Sequence, residues 1–168
     1  MPVNISAVKI LRSKKRRRSV SCRLVRGILV VRAPENMPDI RLQEVIAELK
    51  SRIERKYLKE QLNKNENLAF KAEEFNKRYF ENKLKVNSIE YVTGQKSRFG
   101  CCNFRTGSIR ISHRISSMPQ WVRDYVIIHE MAHLAVPDHS RAFWDIVNRY
   151  KLAERAKGYL IAAGTLGS

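Results

Sequence analysis

The sequence predicts an α+β fold on three observations. Residues 5–34 and 86–115 alternate apolar and polar side chains with the period of a strand. Residues 38–80 and 117–163 carry apolar residues at helical spacing. With 168 residues and 43% hydrophobic content, the chain can bury one core. The expected organisation is a basic β-hairpin or meander arm over residues 1–37 and a core over residues 38–168, together one compact unit.

In the first segment Val20, Cys22 and Leu24 face one way and Ser19, Ser21 and Arg23 the other. Arg26-Gly27 is a turn, Ile28–Val31 an apolar run, and Pro34 its end, so a small antiparallel meander is predicted. Ile40, Val45, Ile46, Leu49, Ile53 and Leu58 then recur at helical spacing. Asn63-Lys-Asn-Glu-Asn67 breaks that helix, and Leu68, Ala72, Phe75, Tyr79 and Phe80 line a second. Residues 86–92 read as a strand, and Gly100 and Gly107 as loop punctuation. Ile109, Ile111, His113 and Ile115 form one face of a further strand. Ser117 is the expected cap of a helix with Pro119 in its first turn; it runs through Trp121, Tyr125, Ile128 and Ala132 to a stop at Pro137. A last helix opens near Ser140 with Phe143, Trp144, Val147 and Tyr150 on one face.

There are 33 Lys and Arg against 16 Asp and Glu, a net charge of +17. Ten of those bases and no acid lie in residues 1–34, centred on Lys14, Lys15, Arg16, Arg17 and Arg18. The run suits a polyanion such as nucleic acid, although no aromatic is interleaved to stack on bases. A solvated turn between strands is the plainer reading. No apolar run approaches the roughly 20 residues of a membrane span. Three cysteines, two of them adjacent (Cys101, Cys102), make no disulfide framework. The expectation is a reduced, cytoplasmic protein with no membrane partner.

The chemistry concentrates in His129-Glu130-Met131-Ala132-His133, followed six residues later by His139. Positions i and i+4 share one helix face, so His129 and His133 can offer two imidazoles to one Zn²⁺. His139, beyond Pro137, is the third ligand of choice, which leaves the fourth position open as a catalytic site requires. Glu130 is the expected general base, beside a water acidified by the metal. Mn, Fe or Ni could load the same donors. Val136 stands where metzincins carry Gly, and no Met follows the motif, which excludes a true metzincin. Glu154 is the alternative third ligand. Asp124, Asp138 and Asp145 are candidates to orient an imidazole, and Arg98, Arg114 and Arg141 to stabilise an oxyanion. His113, Cys101 or Cys102 would close the sphere if the zinc were structural. The leading expectation is a zinc-dependent metallopeptidase acting on protein or peptide. The alternatives are a metal-dependent nucleotide or phosphate-ester hydrolase and a nucleic-acid-binding module with a structural zinc.

These residues resemble the YgjP-like family of zinc-dependent metallopeptidases. The similarity runs over nearly the whole length. It includes the basic hairpin with Val30-Val-Arg-Ala-Pro34, Ser97-Arg-Phe-Gly-Cys-Cys102, Ile109-Arg-Ile111, and His129-Glu130, His133, His139-Ser140 and Phe143-Trp144. Phe99 replaces the family's usual Trp and Cys101 its usual Ser, and His113 stands where an aromatic is common. The resemblance implies a zincin-like core, similar in arrangement to the SprT and WLM proteases, which act on proteins attached to DNA. A nucleotide-hydrolysing activity has also been attributed to a member of the family.

Overall fold

The computed structural model describes residues 5–95 and 97–165. They form six strands and five α-helices in an α+β fold, divided between two compact units, residues 1–61 and 62–168. The division falls in the last turns of the first long helix, not at residue 37.

The N-terminal unit is a three-stranded sheet and most of a helix. The strands are β1 (Ala7–Ser13), β2 (Ser21–Val25) and β3 (Ile28–Pro34), in the order β1-β3-β2. This is not the predicted antiparallel meander: β2 pairs with β3 antiparallel, but β1 lies on the far side of β3 and runs parallel to it. The connections explain the order. Arg26 (φ 48°) and Gly27 (φ 80°) make a two-residue turn, and positive φ at both positions is what a tight hairpin needs. The seven-residue basic loop from Lys14 to Val20 is long enough to cross the end of β3. The most apolar strand thereby takes the centre. Its Leu29, Val31 and Ala33 are fully buried and pack on Leu42 and Ile46 of α1 (Asp39–Asn65), which explains why α1 belongs with the sheet. Arg12 fastens the corner by donating to the carbonyls of Glu35 (2.8 Å) and Met37 (2.7 Å) and pairing with Asp39.

The second unit repeats that strand order. β4 (Ser88–Val92), β5 (Gly100–Asn103) and β6 (Ser108–Ser112) lie as β4-β6-β5, with β4 parallel and β5 antiparallel to β6. Gly100 is therefore a strand residue rather than loop punctuation. The β6 strand is shorter than its alternation suggests. The Ser112 hydroxyl accepts from the Arg114 amide and turns His113–Ser117 into a 3-10 helix, so His113 leaves the Ile109–Ile111 face. Ser117 lies in that turn and caps nothing. Met118, extended as residues before proline are, leads to Pro119, the cap of α3 (Gln120–Ala132). α3 ends before Pro137, at His133, where three backbone bonds to Met131 and Ala132 tighten the chain. The last helical stretch is two helices, α4 (Arg141–Val147) and α5 (Ala153–Thr165). Bonds from Arg149 and Tyr150 back to Ile146 and Val147 close α4.

α2 (Leu68–Tyr79), capped by Asn67 as it accepts from the Phe70 amide at 3.0 Å, packs Phe75 and Tyr79 into the same core as Ile109, Ile111, Ile127, Ile128 and Phe143. A polar knot ties α3 into this core. Glu66 accepts from the buried Tyr91 hydroxyl (2.7 Å) and pairs with Lys71 (3.0 Å) and Arg123 (3.0 Å), and Lys71 also reaches Asp124 (3.3 Å). Burial pushes the Glu66 carboxyl up, but Tyr91, Lys71 and Arg123 outweigh it and hold the group below its ordinary value. At the outer edge of β4, the Asn63 side chain donates to the Tyr91 carbonyl (3.0 Å) and accepts from its amide (2.8 Å), as a neighbouring strand would.

Candidate metal centre

α3 is nearly apolar on its packed face, with Val122, Val126, Ile127 and Met131 buried, and this fixes its rotation. The rotation brings His129 and His133 to one side, with ring centroids 5.1 Å apart. The turn after α3 and the extended Ser140 return His139 to the same place. One ring nitrogen of each of the three imidazoles lies within 4.8 Å of the others, and Nε2 of His139 is 3.2 Å from Nε2 of His129. Two nitrogens bound tetrahedrally at about 2.0–2.1 Å stand about 3.3 Å apart, so this pair matches a shared divalent ion. Burial, then the neighbouring His133 and His139, lower the His129 pKa to about 4, which keeps its ring neutral at pH 7 as a metal ligand must be. Among the described residues no other His, Cys, Asp or Glu joins this group. Glu154 opens α5, and Cys101 and Cys102 lie in β5 as free thiols.

Of the three carboxylates expected to orient the imidazoles, Asp145 is exposed on α4 and the other two do other work. Asp124 is engaged by Lys71 and by Gln120 (2.6 Å), and Asp138 accepts from the Ser140 amide at 3.2 Å. Nδ1 of His133 instead meets the Val136 carbonyl at 3.3 Å. Aromatic packing supplies much of the rest. Phe143 stands 4.9, 4.5 and 4.7 Å from the His129, His133 and His139 rings, and Trp144 stacks on His139 at 5.6 Å. Spacing reads Phe143 and Trp144 as a core face of α4. The cue to their second role is that they follow His139 by one helical turn.

Glu130 points off the imidazole side toward β5 and is only 7% exposed. Burial raises its carboxyl to about 7, and the Arg98 charge opposes that. It lines a cavity of about 350 Å³ with His129, Arg98, Phe99, Gly100, Tyr125 and Lys157 among the walls. Of the three oxyanion candidates, Arg98 shares this cavity with Glu130. Arg114 lies over the Phe99 ring at 4.9 Å, and Arg141 opens α4 on the surface. Gly100 is a site residue that the sequence reading misses. A Cβ there would fall 2.6 Å from Glu130 Cγ and Oε1, so the carboxylate occupies the space glycine leaves. The contact joins residues thirty apart, and no local pattern announces it.

The basic run lies in the other unit. Lys14, Arg16, Arg17 and Arg18, with Arg41, line an open cleft of about 690 Å³ at the C-terminal end of β3. Lys15 is exposed on the same loop.

The YgjP-like, metallopeptidase domain family model matches residues 78–153. That span runs from the end of α2 to the start of α5; the basic hairpin lies outside it, so the match is shorter than the resemblance suggests. No curated protein matches the chain. A solved structure, the metallopeptidase zymogen of Pyrococcus abyssi abylysin, is similar at 22% identity over 54% of this chain and 85% of that one, with a TM-score of 0.45. Residues 78–153, which hold His129, Glu130, His133 and His139 together, are thus similar to the YgjP-like metallopeptidase domain.

Proposed function

We propose that the protein is a metal-dependent peptidase in which His129, His133 and His139 hold one divalent ion, Zn²⁺ by the chemistry of an all-imidazole set, and Glu130 is the general base. The observation that carries this reading is the convergence of three ring nitrogens within 4.8 Å beside a buried carboxylate, in a set that leaves a fourth position open. The bound ion would polarise a carbonyl and make a water acidic near neutral pH.

The residues divide the remaining work. Phe143 and Trp144 hold the imidazoles in place. Glu130, lifted toward neutrality by burial, takes a proton from water and returns it to the leaving amine. Arg98 supplies positive charge in the same cavity. The edge of β5 not paired with β6 lies next to Glu130 and offers backbone groups along which an extended peptide can pair.

The test is metal analysis of purified protein with a casein and peptide screen of wild type and Glu130→Gln, with and without chelator. The expected result is one equivalent of metal in both proteins and turnover in the wild type alone, abolished by the chelator. Nucleoside triphosphate turnover without peptide cleavage would replace this reading with a phosphate-ester hydrolase. Equal behaviour of wild type and Glu130→Gln in every assay would replace it with a structural metal.

A further inference from the structure

The peptidase reading makes no use of the N-terminal sheet. Alternate residues of β3 turn toward α1, and the others, Ile28, Val30 and Arg32, form the opposite face. Register sets β1 and β2 beside them: Lys9 and Arg23 flank Val30, Leu11 and Ser21 flank Arg32, and Ala7 and Val25 flank Ile28. All of these are exposed except Val30, which is half-buried. Arg23, Val30 and Arg32 line a groove of about 500 Å³ on this face. Two residues beyond Arg32, Pro34 lines the cleft formed by Lys14, Arg16, Arg17 and Arg18. Groove and cleft thus follow each other along one strand.

The charge on this surface is one-sided. No acid occurs before Glu35, at the cleft margin. Arg12 and Arg16 are spent on Asp39 and Ser19, whereas the side chains of Lys9, Lys14, Lys15, Arg17, Arg18, Arg23 and Arg32 have no hydrogen bond or ion pair among the described residues. A row of unpaired cations along a groove suits a ligand whose negative charge is continuous and regular. Residues 5–34 contain no Phe, Tyr or Trp. That composition lacks the stacking platforms of a single-strand binder and the Trp and Tyr belt of a membrane-facing surface.

We propose that the open face of this sheet and the Lys14–Arg18 loop together form a binding surface for the phosphodiester backbone of double-stranded nucleic acid. The backbone lies along β3, with Lys9, Arg23 and Arg32 on its phosphates and the loop bases at one end. Recognition is independent of base sequence, since the face presents charge and aliphatic side chains only.

The experiment is fluorescence anisotropy of the full chain on a duplex DNA of about 20 base pairs across a salt series. Each phosphate contact contributes about 0.9 to the slope of log Kd against log salt, so seven cations give about 6. Substituting Lys9→Gln, Arg23→Gln and Arg32→Gln together should lower the slope by about 3 and weaken binding at least about tenfold near 100 mM salt. Lys9→Arg, Arg23→Lys and Arg32→Lys together, which keep the charge, should restore the wild-type slope and so separate charge from folding. Glu130→Gln should bind DNA as the wild type does. An unchanged slope in the triple Gln variant would overturn the proposal and leave the loop alone as the contact. Equal or tighter binding of the single strand, or binding of phosphatidylserine vesicles without binding of the duplex, would overturn it as well.

Discussion

In both three-stranded sheets the third strand lies in the centre, parallel to the first and antiparallel to the second. In the N-terminal sheet a short turn at Arg26-Gly27 makes the hairpin, α1 covers one face, and the other face is left to Lys9, Arg23 and Arg32. In the second sheet the central β6 buries Ile109 and Ile111, and β5 places Gly100 against Glu130. The same topology thus supports a charged surface in one case and a buried carboxylate beside three imidazoles in the other. Strand order does not carry function; the side chains grafted on it do.

Five substitutions would break or sharpen this contrast. The largest effect belongs to the imidazoles: His129→Ala or His133→Ala should reduce bound metal from one equivalent to below about 0.1 by elemental analysis, because two remaining ligands make a poor site. The DNA binding proposed for the N-terminal sheet should be unmoved. Next, Glu130→Gln should keep its metal and lose about 10²–10⁴ in kcat, the range of a positioned general base. Gly100→Ala should keep its metal too and lose about 10² in kcat, because the added methyl displaces the Glu130 side chain by the order of an ångström. Wild-type kcat in Gly100→Ala would show that the carboxylate has room to adjust.

The smallest effect is on stability. Glu66→Gln removes a carboxylate with three partners and should cost about 2 kcal/mol, read as a fall of about 4–8 °C in Tm at neutral pH. The folded pKa of Glu66 lies below its ordinary 4.5, so its contribution is fully present above about pH 4.5 and lost as pH falls through the lower folded value. The Tm difference between wild type and variant should therefore shrink in acid. A constant difference would show that the carboxylate's charge contributes nothing.

What could be read from the sequence was what local spacing encodes. His129 and His133 lie one turn apart on any helix, and the turn at Arg26-Gly27 marks its hairpin. The α+β class follows from alternation and helical period. Pairing across distance was not legible. Nothing local tells β1 to cross β3, because the choice rests on which strand is most apolar and on the length of the basic loop. The alternation through Ile115 concealed a 3-10 turn, since a Ser112 side chain competing for the Arg114 amide leaves the hydrophobic pattern intact. Carboxylates were expected around the imidazoles because they are common there; a backbone carbonyl and two aromatic rings stand in their place.

The missing side chain at Gly100 makes two distant positions one steric unit. A relative that carries a side chain at the first must carry a shorter acid at the second, or swing β5 outward and enlarge the cavity. Position 100 therefore sets how far the acid reaches, and an engineer wishing to retune it would begin on the strand and leave the helix alone.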